Sequence, residues 1–419
     1  MRILFTTAWY PNRKDAGDGV FIQKHAMAVA RLNDVAVLMV QTDVAVRGLT
    51  IEVCPKESQD KSLHEVLVYV PKTRFEIPLI TGLLRLYWLM MGYIKGYRFI
   101  KKNYWQGERP EVCHVNVLTR AAGLPWLLLK FHHIPYIITE HWSRYAREGA
   151  YPDSAMQLRL GRRFVKDASY VCPVSLNLEQ NMKKWGLENR HFTRIGNVVD
   201  TDTFVVPERC VKSDKVTFIH VSWMRDDSKN ISGILRTAAR LKEQNQDFHI
   251  DFIGEGNDKP KLMEYGRELG LDEMVSFLPA MTGHDLAEAL QRHDALLIFS
   301  NFENQPVSVL EALSCGLPVI ATRVGTIPAM LAQNRGITVE PGNESELQEV
   351  LAAFITTRSR MTDAQRSDRT LAIQRHQYVA ERHSPEVIAK QFDVLYSSSL
   401  PPKQVFRPRC SGDRGGAEE

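Results

Sequence analysis

Short, largely apolar runs recur between longer amphipathic stretches along most of this chain, and they do so in two successive series. The first series is Ile3 to Thr6, Val35 to Val40, Val66 to Val70, Val112 to Val115, Tyr136 to Thr139, Tyr170 to Pro173 and Phe192 to Ile195. The second runs through Lys215 to Val221, Phe248 to Ile253, Val275 to Leu278, Ala295 to Phe299, Pro318 to Thr322 and Gly336 to Val339. Runs this short and this apolar suit strands buried on both faces, and the intervening helical stretches supply crossovers for parallel sheets. The pattern therefore predicts two doubly wound α/β domains, residues 1–200 and 215–384. Polar residues 201–214, with Pro207 and no strand run, read as the linker. A helix over 385–397 is expected to cross back to the first domain. The tail 398–419 has Pro401-Pro402, Gly415-Gly416 and no apolar period, and is expected to be disordered. In such folds a ligand binds outside the carboxyl ends of the strands, here in the cleft between the domains.

A chain of 419 residues has enough length for two cores. Its 44% hydrophobic and 24% charged content is that of an ordinary folded protein, and a formal charge of +4 is too small to argue for nucleic acid. The six cysteines show no Cys-x-x-Cys spacing, so neither a disulfide framework nor a zinc knuckle is expected. Met1 to Thr7 reads as a buried strand and not as a signal peptide, so the chain is expected to stay in a reducing cytosol.

The stretch Ser300-Asn301-Phe302-Glu303-Asn304-Gln305-Pro306-Val307-Ser308-Val309-Leu310-Glu311-Ala312 carries the strongest functional signal. It follows a buried strand, and Pro306 is suited to be the first residue of a helix. The free amides and positive dipole end of that helix would face an anionic ligand past the strand end, such as a diphosphate. Glu303 in the loop and Glu311 in the helix flank that position as hydrogen-bond acceptors for sugar hydroxyls. The continuation Ala312 to Ala321, through Cys315-Gly316-Leu317-Pro318, supplies a helix end and a second buried strand.

This string resembles the Glu-x7-Glu signature of the retaining family 4 (group 1) glycosyltransferases of GT-B fold, with its Glu-Ala-x-x-x-Gly-x-Pro-Val continuation. The resemblance implies that Glu303 contacts the donor sugar and Glu311 the nucleotide ribose, with Asn304, Gln305, Pro306 and Val307 beside the donor. Asp18-Gly19-Val20-Phe21 fits either a phosphate loop or a tight turn by its residues, and the resemblance implies that Gly19 lies near the diphosphate. Gly254-Glu255-Gly256 matches the family's Gly-x-Gly turn near the base and diphosphate. His141 ends a strand in Thr139-Glu140-His141, where the family keeps a histidine that touches the donor sugar. Strand alternation sends Glu140 to the other face. The family's diphosphate-binding Lys is matched by Lys229, while Trp223 stands where it has an Arg, leaving Arg225 to supply that charge. Thr326 and Ala329 replace the second Gly and the Glu of the family's Gly-Gly-x-Pro-Glu. Asp200-x-Asp202 falls in the hinge string Asn197-Val198-Val199-Asp200 and is read as a turn. Neither a metal nor another cofactor is expected.

One stretch remains. Residues 74–104 combine Arg74, Arg85, Lys95, Arg98, Lys101 and Lys102 with Leu83, Leu84, Leu86, Tyr87, Trp88, Leu89, Met90 and Tyr97. Pro78, Gly82, Arg85 and Gly92 argue against a transmembrane helix, leaving a helix packed on the first domain or a patch facing anionic lipid. The function expected is transfer of a hexose or hexosamine from a nucleotide diphosphate sugar to a glycan or lipid-linked acceptor, in cell-surface polysaccharide synthesis. A sugar-nucleotide epimerase of the same architecture, and a catalytically idle sugar-nucleotide-binding member suggested by Trp223, Thr326 and Ala329, are the alternatives.

Overall fold

A computed structural model describes residues 1–58, 60–72, 78–146, 154–208, 215–362 and 369–401. Most of the expected tail and the second half of the linker thus lie outside the described residues. The first sheet contains β1 (Arg2–Thr7), β2 (Asp34–Asp43), β3 (Glu52–Lys56), β4 (Leu63–Pro71), β5 (Val112–Asn116), β6 (Tyr136–Glu140) and β7 (Tyr170–Pro173). Its order is β3-β4-β2-β1-β5-β6-β7, parallel except where β3 pairs antiparallel with β4. The second sheet, in the order β10-β9-β8-β11-β12-β13, is parallel throughout: β8 (Val216–Val221), β9 (Phe248–Ile253), β10 (Val275–Leu278), β11 (Ala295–Ile298), β12 (Val319–Thr322) and β13 (Gly336–Val339). The chain matches two doubly wound domains of GT-B type. Strand order reverses between β1 and β5 in one sheet and between β8 and β11 in the other. Those are the switch points where the loops part and leave a crevice.

Two strand expectations need correction. Residues 192–195 form no strand: Phe192 makes a single parallel bridge to Val171, after which the chain leaves the sheet for the interdomain hinge. Conversely, β3 is a real edge strand that its polar, Pro-containing sequence conceals. Pro55 is tolerated there because an edge strand has one side without a ladder partner.

Alternate residues of each buried strand feed opposite cores. Leu4, Ala36 and Leu38 pack under one face of the first sheet, while Ile3, Phe5, Val35 and Val37 pack under the other. The Pro385–Ser399 helix joins the second of these clusters through Ile388, Phe392, Leu395 and Tyr396, against the Val20–Ala30 helix. Each such fully buried side chain contributes roughly 1.5–3 kcal/mol. The Pro385–Ser399 helix is thereby anchored on the first domain.

The Pro78–Asn103 helix covers β2 and β4. Gly92 and Gly96 permit the close approach, since a Cβ on Gly92 would sit 2.6 Å from Val40 Cγ1, and Trp88, Leu89, Tyr93 and Ile100 are buried. Its opposite side exposes Ile80, Leu83, Leu86, Tyr87 and Met90, spaced as one helical stripe. Arg74 lies outside the described residues. Among the described residues no helix is long and apolar enough to cross a membrane. Cys54, Cys113, Cys172 and Cys315 are free thiols.

Candidate active site

The loops that leave β8 and β11 build one wall of a cavity of about 340 Å³, and those that leave β1 and β6 build the other. The second domain contributes Trp223, Arg225, Ser228 and Lys229 after β8, and Phe302 to Gln305 with Val307 after β11. The first domain contributes Trp9, Phe21, His141, Trp142 and Asn197. A larger hollow of about 790 Å³ is lined by Arg162, Lys166 and Arg190 on the first domain and includes none of the sequence-predicted site residues.

Glu303 is held in place by its neighbours. Its Oε1 accepts from Lys229 Nζ at 2.6 Å and from Ser300 Oγ at 2.8 Å. Lys229 closes the short Asp226–Lys229 helix, which Asn230 terminates in a left-handed conformation at φ 48°. The loop itself is pinned from below: Thr322 Oγ1 donates to the Ser300 carbonyl at 2.6 Å, and Thr326 Oγ1 donates to the Asn304 carbonyl at 2.7 Å. Gly325, at φ 56°, lets that second loop cross the backbone of Glu303, where any Cβ would collide. Thr326 is thus a clamp on the Glu303 loop. Ala329 is exposed.

The helix after this loop begins one residue later than expected, at Val307, with Pro306 in the cap position. No side chain caps it, so its first-turn amides and dipole remain available to an anion. The side chains of Asn304 and Gln305 turn to the opposite domain instead. Asn304 Nδ2 donates to the His141 carbonyl at 2.8 Å, while Asn197 donates from its backbone N to Gln305 Oε1 at 2.6 Å and from Nδ2 to the Gln305 carbonyl at 2.8 Å. Asn197, which the sequence placed in the hinge string but not among the site residues, is the hinge's handle on the second domain.

His141 is half-buried, with both ring nitrogens shielded from solvent and without a hydrogen-bond partner of good geometry. Its ring lies 4.5 Å from Phe21 and 5.2 Å from His25. Burial, reinforced by His25 and opposed by the Asn197 side chain, pushes its pKa well below the usual histidine range, so the imidazole is neutral. Buried polar groups without partners are rare, and one on a cavity wall is poised for a ligand. Glu140 does point away, and there it organises the loop. Its Oε1 accepts from the His141 and Trp142 amides at 2.9 Å each, and its Oε2 from the Leu118 amide at 2.8 Å and the Tyr145 hydroxyl at 3.0 Å.

Of the other expected residues, Gly19, Gly254 and Glu311 lie off the cavity wall and Arg225 lies on it. Glu311 is buried in the Val307–Ser314 helix, and its Oε1 accepts from Lys24 Nζ of the first domain at 2.5 Å. Gly19 caps the Val20–Ala30 helix at φ 66° because the Trp9–Tyr10 backbone leaves no room for a Cβ. Gly254, at φ 146°, lets its turn pass against the Ser222 carbonyl, and Met224 N donates to Glu255 O at 2.6 Å. These glycines shape the loops that carry Trp9 and Trp223. Arg225 lines the cavity but shares its Nε with Asp227 at 2.7 Å. Asp200 closes its own turn, accepting from Asp202 N at 3.2 Å and Thr203 Oγ1 at 2.6 Å. Among the described residues no group of three His, Cys, Asp or Glu could hold a metal ion.

A family model described as Glycosyl transferases group 1 matches residues 207–370, and one described as Glycosyltransferase Family 4 matches residues 44–203. The lipopolysaccharide 1,6-galactosyltransferase of Escherichia coli (strain K12) is 27% identical over 212 residues, 49% of this chain and 56% of that protein. Among solved structures, sucrose-phosphate synthase from Thermosynechococcus elongatus superimposes with a TM-score of 0.73 at 17% identity, over 95% of this chain and 98% of that one. Anabaena HepE in complex with UDP-glucose gives 0.69 at 16% identity, over 95% and 100%. At these identities the two structures speak for the fold, and the family models, which between them cover both domains, speak for the family. The chain belongs to the group 1 glycosyltransferases, with the GT-B fold.

Proposed function

We propose that this protein is a retaining glycosyltransferase that moves a hexose or hexosamine from a nucleoside diphosphate sugar to a glycan or lipid-linked acceptor in cell-surface polysaccharide synthesis. The observation that carries the proposal is the Lys229–Glu303 pair beside an uncapped helix N-terminus, facing the partnerless His141 across one cavity. Cationic and dipolar groups on one side suit a leaving diphosphate, and neutral or acceptor groups suit a sugar. In this reading the acceptor oxygen approaches on the face from which the diphosphate departs. The anomeric carbon–phosphate oxygen bond breaks, a new bond to the acceptor oxygen forms, and the hydroxyl proton passes to the leaving phosphate.

Lys229, Arg225 and the first-turn amides after Pro306 stabilise charge on the leaving group. Glu303 and His141 hold sugar hydroxyls, and Glu311 takes the ribose once Lys24 gives way. The Lewis acid role of a metal is assigned to these groups. A uridine donor is supported by the UDP-glucose of the HepE complex, and a cell-surface pathway by the galactosyltransferase relative. The exposed stripe from Ile80 to Met90, with Arg98, Lys101 and Lys102 farther along the same helix, is assigned to an anionic membrane surface on the cytoplasmic side.

A panel of nucleotide sugars in a thermal-shift assay selects the donor, and NMR of the transfer product reads its anomeric configuration. Inversion at the anomeric carbon would overturn retention. Conversion of the donor to its epimer without acceptor would favour the epimerase, and binding without turnover the idle member.

A further inference from the structure

The two walls of the cavity differ in chemistry. All formal charge on it, Arg225, Lys229 and Glu303, comes from the second domain. The first domain supplies Trp9, Phe21, Trp142, the neutral His141 and Asn197, which together carry no charge. The Trp9 and Trp142 rings meet edge to face, 5.2 Å apart at 89°, and the Arg144 guanidinium stacks 5.0 Å from Trp142 without lining the cavity. Each ring is therefore fixed by the other, and Trp142 also by Arg144. Among the described residues the indole N–H groups of Trp9, Trp142 and Trp223 have no hydrogen-bond acceptor. Across the cleft Trp223 and Phe302 remain 51% and 40% exposed, large apolar surfaces left open at the mouth of a site.

From this asymmetry we propose that Trp9 and Trp142 form a subsite for a neutral pyranose ring, the terminal sugar of the acceptor. The inference rests on the transferase reading and narrows it. Ring C–H groups polarised by their oxygens pack against the electron-rich faces of indoles, and the free indole N–H groups donate to hydroxyls. A phosphorylated polyol or lipid phosphate would find no cation on this wall and would lose its hydration for nothing in return. Any phosphate of a lipid-linked acceptor then lies outside the cavity, with at least one sugar between it and the reacting hydroxyl.

The test uses the whole chain, the UDP-sugar selected by thermal shift, and two kinds of acceptor probe: methyl α- and β-D-hexopyranosides, and myo-inositol 3-phosphate. A pyranoside is expected to accept sugar and the inositol phosphate to be refused. Trp9→Ala and Trp142→Ala should raise the KM for the pyranoside about ten-fold, more than they change the KM for donor, while Trp9→Phe and Trp142→Phe stay within about three-fold. In UDP-saturated protein the pyranoside should also quench tryptophan emission, and the Phe variants should weaken that quenching. Preference for the inositol phosphate, or alanine variants that melt like the wild type and keep its acceptor KM, would overturn the subsite. Donor turnover with no pyranoside either accepting sugar or quenching emission would overturn it too while leaving the transferase reading intact. Failure of every nucleotide sugar in the panel to bind would sink both together.

Discussion

Acidification should destabilise this protein through histidines buried in their neutral form. His220 and His383 both have pKa values pushed down to about 4, chiefly by burial. On β8, His220 Nδ1 donates to the Leu297 carbonyl at 2.8 Å while Nε2 accepts from Ser222 Oγ at 2.7 Å, an arrangement that one neutral tautomer satisfies completely. His383 Nδ1 donates to the Asn197 carbonyl at 2.9 Å, at the hinge. The unfolded chain takes up these protons at an ordinary histidine pKa of about 6.5, so below that value it binds more protons than the folded state and stability falls with pH. Between about pH 7 and about pH 5 the difference is about 2 kcal/mol for each residue, about 4 kcal/mol for the pair. His25, His114 and His141 are shifted the same way and add to the loss. Opposing groups are fewer. Burial raises Asp18 to about 6 and also raises Glu140, so both favour the folded state on acidification, but Asp18 is partly open to solvent and screened. His249, raised by its bond to Asp251, holds its stabilisation at low pH and loses it only as pH rises through its folded pKa. Denaturant titrations followed by circular dichroism at the two pH values measure the loss. His383→Asn, which keeps an N–H donor near the Nδ1 position, should shrink it by about 2 kcal/mol. Equal stability at the two pH values, or a His383→Asn protein with the wild-type pH dependence, would refute the assignment of these rings as buried and neutral.

Glu303→Gln and His141→Ala should each lower kcat ten-fold to a thousand-fold, about 1.4–4 kcal/mol of transition-state stabilisation, in proteins that still fold. Wild-type turnover in either removes that residue from the reaction. Glu311→Ala should mainly weaken donor binding, read by calorimetry with UDP, and an unchanged dissociation constant would rule out ribose contact. Lys229→Ala should weaken UDP binding while EDTA leaves transfer unaffected; activity lost to EDTA and restored by manganese would overturn a metal-free reaction. On sedimentation the protein should associate with anionic vesicles and dissociate in part as salt rises, because salt screens the charges and not the apolar stripe. Leu83→Asp with Leu86→Asp, both on the exposed side of their helix, should abolish that association, and vesicle binding equal to wild type would make the stripe irrelevant to it.

The features legible in the sequence are those whose physics is local. Strands in the body of a sheet covered on both faces are mostly apolar, and twelve of the thirteen strands show in the composition of four to ten residues. Strand β3 lacks that signature because its residues are only half-buried or exposed, and Phe192–Ile195 has apolar ends but no partner along its length. Lys229, Glu303 and His141 were locatable because all three follow strand ends and stand where the resembling family keeps its donor-contacting residues. Contacts between the domains were not locatable. Lys24 lies 287 residues before Glu311 and Asn197 lies 108 before Gln305, and nothing in either neighbourhood marks the other. The glycines show the same limit from the other side. The resemblance set Gly19 and Gly254 near the diphosphate, with a tight turn as the other reading of Gly19, and backbone atoms of the Trp9 and Ser222 loops leave no room for a Cβ at either position, so both glycines shape their loops. Thr326 makes the point about departures from a motif. Its hydroxyl supplies a bond to the Asn304 carbonyl that a glycine has no side chain to make, and it tightens the loop carrying Glu303. A substitution that reads in sequence as a lost phosphate contact is, in the folded chain, a brace for the loop that carries Glu303.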